Sequence, residues 1–169
     1  MRIFLELGSH KAGERSPFTD SAARGAWVGL GTGTGRGDLA RSVLEGVAYN
    51  YRALRQKLQR RIDPNVDMIV AGGGARSAIW LQILADVLQT RLVAVSSDGA
   101  AARGIAAHAF VGLEAWESAR EADAFFEFEN GDASTMYEPS LAHRSHYEQR
   151  FAVFKRLHGS LKSSGLYEC

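Results

Sequence analysis

The sequence has one cysteine and almost no net charge. Cys169 is the last residue and cannot form a disulfide within the chain, which agrees with a reducing compartment. A formal net charge of +1 gives no reason to expect nucleic acid or an anionic membrane as a partner. We therefore expect neither partner, and we assign Cys169 no catalytic role.

Long hydrophobic runs are also missing from the sequence. No apolar stretch approaches the roughly 20 residues that are needed to cross a bilayer. The first five residues are mostly apolar, but Glu6 follows them, so the start lacks the hydrophobic region of a secretory signal. A cytoplasmic location is therefore expected. With 46% hydrophobic and 23% charged residues, the composition is that of a globular protein with a core.

The most informative motif is an apolar strand that breaks at three glycines and continues as a helix. Residues 70–77 read VAGGGARS, and Ala78, Ile79 and Trp80 follow. Glycine lets the backbone approach a ligand closely, and the first turn of the helix presents N–H groups that have no intrahelical acceptor. The motif indicates a site for a nucleotide or another polar ligand. Tight packing of a helix on a sheet is the other interpretation.

Helical and strand patterns alternate along the chain. The spacing predicts helices from Leu39 to before Pro64 and over 77–88, 100–113 and 141–161, with strands over 66–71 and 91–95. Residues 2–23 look irregular, although 3–5 are compatible with a short strand, and 114–138 look like loop with a short helix near 118–124. This order predicts parallel strands joined by a right-handed crossover. The fold class is therefore α/β, a short parallel sheet flanked by helices.

Apolar positions at helical spacing predict the core. The strand at 66–71 should be buried. Two helices carry apolar positions that we expect to face the core. In the helix over 77–88 they are Ile79, Ile83, Leu84 and Val87. In the last helix they are Tyr147, Phe151, Phe154, Leu157 and Leu161.

Several polar residues receive structural interpretations. Asp38 ends the glycine-rich segment 31–37 and is predicted to be the N-cap of the first long helix. The basic residues near the end of that helix, among them Arg52 and Arg55, are expected to form a solvated helix end rather than an anion site. His143 and His146 are expected on a solvated helix face, because none of the five histidines shows the spacing typical of a zinc site.

A second pattern extends over nearly the whole chain. Residues 25–30 read GAWVGL, and a Gly/Thr-rich stretch follows them. A helical run comes next, which contains Asp38-Leu39 and residues 42–45 (SVLE). The other motifs of the series are 13–17 (GERSP), 44–48 (LEGVA), 72–77 (GGGARS), Trp80 with 82–86 (QILAD), and 137–139 (YEP). In this order they resemble the C-terminal signature of the FGGY carbohydrate kinases and its neighbouring segments, most of all in the xylulokinase branch.

The resemblance implies a partial actin-like (ribonuclease H-like) ATPase domain. Residues 1–24 would be an irregular N-terminal segment, 25–162 the C-terminal part of the nucleotide-binding domain, and 163–169 a tail. The implied activity is ATP-dependent phosphorylation of a pentulose such as xylulose, with ATP/ADP and Mg²⁺ as cofactors. The family's catalytic aspartate has no match in the 169 residues, so we expect no catalytic residue here and no activity of the isolated chain. Asp86 matches a recurring acid that we interpret as structural.

The resemblance also assigns binding residues. The three glycines would pack their backbone against the adenosine, and the three residues after them would border the base or the ribose. The predicted cofactor-binding residues are thus Gly72, Gly73, Gly74, Ala75, Arg76 and Ser77. Glu14 and Arg15 match a segment near the interdomain cleft of the family and are candidates for a role beside the sugar. A local ion pair remains open for Glu14 and Arg15, as does a salt bridge for Arg76. No metal-ligating residue is predicted.

The length of the chain predicts a partner. If the family's domain is the template, the strands that lie beside residues 66–71 belong to sequence outside this chain, and a sheet edge is left uncovered. We therefore expect a homo-oligomer or a separately made kinase domain as partner, besides the nucleotide, and sugar binding only together with the missing N-terminal domain. Two other functions stay open, a non-catalytic nucleotide-binding or interaction module and an inert remnant. Glycerol, gluconate and other polyols stay open as substrates.

Overall fold

The structure is a computed structural model, which describes residues 3–5, 19–58, 66–95, 100–118, 121 and 134–165. The chain divides into two compact units. Unit 1 comprises Met1–Val66, Gln82–Thr90 and Glu138–Cys169, and unit 2 comprises Asp67–Leu81 and Arg91–Tyr137. None of the described helices is long and apolar enough to span a membrane.

Unit 1 combines a two-stranded sheet with two long helices. Strand β1 (Ile3–Leu5) pairs antiparallel with β2 (Ala26–Val28), so the short strand that the sequence allowed at residues 3–5 is present. Helix α1 is Arg36–Leu58, and the last helix of the chain, α4, is Arg144–Ser163. A single 3-10 turn, Leu141–His143, precedes α4.

Helix α1 begins at Arg36, three residues earlier than the sequence predicted. Asp38 is therefore the third residue of the helix and not its N-cap, which corrects that prediction. Its carboxylate still caps the helix, because the N–H of Gly35 donates to Asp38 Oδ2 at 2.9 Å. This is the return bond of a capping box, in which a side chain in the first turn satisfies the N–H of the residue before the helix.

The core of unit 1 contains four aromatic rings on two helices. Tyr49 of α1 lies with its ring centroid 5.3 Å from that of Phe154, 6.1 Å from Phe151 and 6.4 Å from Tyr147. All four side chains are buried. The predicted stripe along the last helix is confirmed at these three α4 positions, whereas Leu157 and Leu161 are only half-buried. Packing of the aromatic rings thus joins α1 to α4.

The basic end of α1 is solvated only in part, because Lys57 is exposed but Arg52 and Arg55 are not. Arg52 is buried, forms an ion pair with Glu148, and stacks its guanidinium 4.5 Å from the centroid of the Phe151 ring. Arg55 donates to the carbonyl of Leu88, 3.2 Å away, at the end of the next helix. The sequence interpretation of these two arginines is therefore wrong, because their partners lie far away along the chain.

Unit 2 contains a three-stranded sheet. Strand β3 (Met68–Val70) runs parallel to β4 (Leu92–Val95), which confirms the predicted parallel pair. Strand β5 (Ser134–Tyr137) pairs antiparallel with the other side of β4, so the strand order is β3-β4-β5. The sequence predicted loop for these residues, because a strand of four mixed residues has no pattern of its own and depends on pairing with β4.

The remaining helices lie between these strands in the sequence. Helix α2 is Ala78–Leu88, of which the part from Gln82 onwards belongs to unit 1, and α3 is Ala100–Gly112. Both helices begin within one residue of the predicted position. Three of the four α2 positions predicted to face a core, Ile83, Leu84 and Val87, are buried.

Two burial predictions are wrong, and both concern unit 2. Ile79 in the first turn of α2 is 69% exposed, although its spacing places it with buried positions. The strand that was predicted as buried exposes 72% of Ile69 at its centre, while Met68 and Val70 are half-buried. The apolar pattern therefore identifies residues suited to burial, but the described residues do not cover them.

Candidate functional site

The glycine motif forms a tight connection between β3 and α2. Gly72 has φ +84° and ψ −163°, a backbone conformation that is essentially restricted to glycine. Residues Gly73–Arg76 then make a single 3-10 turn, in which the N–H of Ala75 donates to the carbonyl of Gly72 at 3.0 Å. The strand, glycine turn and helix follow one another as the sequence predicted, and the six predicted binding residues are contiguous in unit 2.

The three glycines are needed for different reasons. Gly72 is required by its own backbone angles, so any side chain there is strained. At Gly74 an added Cβ would lie 3.5 Å from Nε1 of Trp80, an ordinary contact. At Gly73 an added Cβ would meet no atom of the described residues within 4 Å, and the residue has helical rather than left-handed angles. Neither the backbone nor the packing of the described residues therefore requires glycine at position 73.

Ser77 connects the turn to α2 and caps the helix. Its backbone is extended, its N–H donates to the carbonyl of Gly74 at 3.4 Å, and its Oγ accepts the N–H of Trp80 at 3.3 Å. This is the N-cap arrangement of serine. The N–H groups of Ala78 and Ile79 remain at the exposed end of the helix, where the intrahelical pattern supplies no acceptor.

The surface of the turn is open to solvent. The three glycines, Arg76 and Ser77 are exposed, and Ala75 is half-buried. A ligand could therefore reach the backbone of the turn directly. The other two candidates, Glu14 and Arg15, lie outside the described residues.

Asp86 is buried in α2 and is fully engaged in hydrogen bonds. It is 2% exposed, and its carboxylate accepts the N–H of Ser140 at 2.8 Å and Nε2 of Gln82 at 3.0 Å. Nδ1 of His143 lies 2.8 Å from its other oxygen. These contacts agree with the structural interpretation of Asp86, because they anchor the segment that leads into α4.

His143 is the residue that the sequence interpretation missed. Its side chain is 55% exposed, which agrees with the predicted solvated position, but it lies in the 3-10 turn before α4 rather than on the helix face with His146, and it pairs with Asp86. A buried acid in an apolar helix requires donors, yet nothing in the sequence says which residue, 57 positions later, supplies one. Among the described residues, no group of three or more His, Cys, Asp and Glu side chains could hold a metal ion.

A second polar cluster joins α1 and α4 and involves two buried phenols. Burial opposes the charge of Arg41, but hydrogen bonds to Tyr147 and Glu45 outweigh this effect and raise its pKa. Burial, assisted by the negative charge of Glu45, raises the pKa of Tyr147 to about 12 and that of Tyr49 even further. Both phenols therefore stay protonated at neutral pH, and this cluster is a structural connection.

Comparison with solved structures identifies the fold as that of an actin-like ATPase domain. The ligand-bound xylulose kinase from Lactobacillus acidophilus superposes with a TM-score of 0.76 at 23% identity, over 96% of this chain and 32% of that one. The fold is thus one that sugar kinases share.

The sequence comparison is more specific. Residues 5–113 match the model of the FGGY family of carbohydrate kinases, C-terminal domain, and the chain belongs to this family. Xylulose kinase from Staphylococcus epidermidis is 30% identical over 155 residues, which make up 89% of this chain and 30% of that protein. A glycerol kinase from Thermococcus gammatolerans is 29% identical over 154 residues, which are 89% of this chain and 30% of that protein.

The chain thus spans about 30% of the length of the curated relatives that it matches. The resemblance that the short motifs indicated is confirmed at the level of the family and of its xylulokinase-like members.

Proposed function

We propose that this chain is the C-terminal nucleotide-binding portion of an ATP-dependent carbohydrate kinase, and that the glycine turn at residues 72–77 binds the nucleotide. In this proposal the backbone of Gly72, Gly73 and Gly74 packs against the adenosine. Ala75, Arg76 and Ser77 border the base or the ribose.

One observation carries the proposal, namely the open space at Gly73. Glycine in a helical conformation costs conformational entropy on folding. Packing of a helix on a sheet would explain a glycine, but an added Cβ at Gly73 would meet no atom of the described residues within 4 Å. The open space leaves room for a ligand to approach the backbone. Gly104 in α3 is equally open, so the space supports a ligand site only together with the position of Gly73 in the turn before α2. The exposed N–H groups at the start of α2 support a polar ligand.

In this proposal the chain's own residues bind and orient the nucleotide. When bound, ATP supplies the phosphoryl group and Mg²⁺ balances its charge. A general base must accept the proton of the sugar hydroxyl, and the family resemblance assigns this task to an aspartate that these 169 residues do not match. Asp86 is an unsuitable replacement, because both of its oxygens are engaged inside the protein. We therefore infer that the isolated chain does not phosphorylate sugar.

The substrate proposed for the complete kinase is a pentulose such as xylulose. The similarity to a xylulose kinase at 30% identity supports this choice, and the similarity to a glycerol kinase at 29% makes glycerol the main alternative. Sugar would bind only together with the remaining part of the kinase, which another chain or another segment would provide. We propose a cytoplasmic location, where ATP is available.

The experiment is calorimetric titration of the purified chain with Mg-ADP. The expected result is saturable binding that Gly73→Val abolishes, because the valine side chain would occupy the space beside the backbone. The variant should fold normally, since a Cβ at this position meets no neighbour. The matched control is Gly104→Val in α3, where an added Cβ also meets nothing within 4 Å.

Two results would contradict the assignment. Equal affinity of the native chain and Gly73→Val would show that the nucleotide does not approach this backbone. Loss of binding in both Gly73→Val and Gly104→Val would show that the effect is not specific to the turn. Thermal unfolding of each variant, measured by circular dichroism, separates either result from a folding defect.

A further inference from the structure

On its own, the backbone of the glycine turn can adopt many conformations. Three of the six residues 72–77 are glycines, which lose more conformational freedom on folding than any other residue. Two hydrogen bonds close the turn, from the N–H of Ala75 to the carbonyl of Gly72 at 3.0 Å and from the N–H of Ser77 to the carbonyl of Gly74 at 3.4 Å. A side chain that holds this backbone in one conformation therefore affects any ligand that binds to it.

Trp80, in the first turn of α2, faces the glycine turn. A Cβ added at Gly74 would lie 3.5 Å from Nε1 and 3.7 Å from Cδ1 of Trp80, so the pyrrole part of the indole lies beside this residue. Trp80 is half-buried, and its backbone N–H donates to Oγ of Ser77 at 3.3 Å. Both the backbone and the ring of Trp80 thus contact residues of the turn.

Gly73 and Gly74 face different sides of the turn. A 3-10 helix has three residues per turn, so the side-chain directions of successive residues are about 120° apart. The indole lies in the direction of Gly74, whereas a Cβ at Gly73 would meet no atom of the described residues within 4 Å. Trp80 therefore supports the turn from one side and leaves the side at Gly73 open to a ligand.

We propose that Trp80 is a positioning residue for nucleotide binding. Its indole holds Gly74, and with it the 3-10 turn, in the conformation that opens Gly73 to the nucleotide. The inference rests on the proposed function and adds to it a residue outside the binding segment 72–77. A tryptophan suits this task, because its large ring is rigid and has only two side-chain torsions to order.

The first measurement uses the nucleotide-free chain. Hydrogen exchange of backbone amides, followed by NMR, reports how often the hydrogen bonds of the turn open. Trp80→Ala should accelerate exchange at Ala75 and Ser77 about tenfold, because the N–H groups of these two residues close the turn. Trp80→Phe should restore the native rates, since a phenyl ring still packs beside Gly74.

The second measurement is calorimetric titration of the same variants with Mg-ADP. A turn that is correctly formed for only part of the time binds more weakly by that fraction. Trp80→Ala should therefore weaken binding about tenfold, in step with the faster amide exchange, and Trp80→Phe should bind within about twofold of the native chain. Trp80→Leu, which keeps more apolar volume than alanine, provides the same test if circular dichroism shows that Trp80→Ala is unfolded.

The matched control is Trp116→Ala. Trp116 is also half-buried and also belongs to unit 2, but its ring packs on Phe110, with the ring centroids 4.7 Å apart. Trp116→Ala thus removes the same kind of side chain from the same unit. It should lower the melting temperature, as Trp80→Ala does, but leave both the amide exchange at Ala75 and the affinity for Mg-ADP unchanged.

Three results would overturn the proposal. The first is native amide exchange at Ala75 and Ser77 in Trp80→Ala. The second is faster exchange without any loss of affinity for Mg-ADP, and the third is an equal loss of affinity in Trp80→Ala and Trp116→Ala.

Failure of the proposed function would look different. In that case the native chain would not bind Mg-ADP, or it would bind with the same affinity after Gly73→Val. The amide exchange would still decide whether Trp80 holds the turn, because that measurement requires no nucleotide.

Discussion

Unit 1 and unit 2 differ in how completely they bury their apolar residues. In unit 1, the rings of Tyr49 and three α4 residues are at most 3% exposed. In unit 2, only a few apolar residues such as Leu81 and Leu92 are buried among those described. Large apolar residues are exposed on β3, α3 and β5 and in the first turn of α2, for example Ile69 on β3 and Ile105 on α3. Unit 1 thus has a closed aromatic core, although it also exposes large apolar residues such as Trp27 and Leu141, whereas unit 2 buries few large apolar residues and its core is open.

The difference follows from the elements that each unit contains. Unit 1 has helices of 23 and 20 residues, which are long enough to bury a continuous stripe against each other. The strands described in unit 2 have three or four residues each, and such short strands need a third layer or additional strands to exclude water. The apolar surface of unit 2 therefore requires cover that the described residues do not supply.

The comparison also separates stability from the proposed function. Every residue that we propose for nucleotide binding lies in unit 2. Binding sites are often found in the less stable part of a protein, because they must remain accessible. Substitutions in unit 1 should therefore affect folding first, and those in unit 2 should affect binding first.

The largest expected effect comes from opening the core of unit 1. Phe154→Ala should lower the free energy of unfolding by about 3–5 kcal/mol, because it leaves a cavity beside Tyr49. Leu113→Ala in unit 2 should cost less than about 0.5 kcal/mol, since Leu113 is 75% exposed. Urea unfolding followed by circular dichroism measures both. Similar losses for the two variants would contradict the distinction between a closed and an open unit.

A smaller effect is expected within the glycine turn of unit 2. Gly72→Ala should cost about 1–3 kcal/mol, because its backbone angles are restricted to glycine. Gly73→Ala should be neutral or slightly stabilising, since the added Cβ meets nothing and alanine reduces the entropy of the unfolded chain. Thermal unfolding of the two variants side by side tests this order. A larger loss for Gly73→Ala would mean that the turn is packed differently.

The sequence predicts the parts of the fold that depend on local patterns. The stripe of Tyr147, Phe151 and Phe154 was predictable because the apolar spacing of a helix is visible in residues only three or four positions apart. The glycine turn was predictable for the same reason, since its six residues are contiguous. Family resemblance then supplied the interpretation of these residues, which spacing alone left open.

The parts that were missed depend on residues far apart in the chain. Strand β5 exists because it pairs with β4, about 40 residues earlier in the register from Leu92 to Tyr137. His143 pairs with Asp86, which lies 57 positions earlier in the chain, and no local pattern predicts this pair. The exposure of Ile69 and Ile79 was unpredictable for another reason, because apolar spacing identifies a face without saying what covers it.

The smallest effect that we predict concerns the pH dependence of unit 1. Burial raises the pKa of Tyr147 in the folded chain from 10.0 to about 12, so the neutral phenol contributes stability that is complete below pH 10. This stability is lost as the pH rises through about 12, when the phenol ionises in both states. The loss should be about 1–2 kcal/mol, less than the full pKa shift implies, because solvent near exposed Arg41 screens the interaction.

Urea unfolding of the native chain and of Tyr147→Phe between pH 9 and about 12 measures this loss of stability. Tyr51→Phe on the exposed face of α1 controls for removal of a hydroxyl. An identical pH profile for the native chain and Tyr147→Phe would show that this phenol is solvated, and the core of unit 1 would then be less closed than its burial indicates.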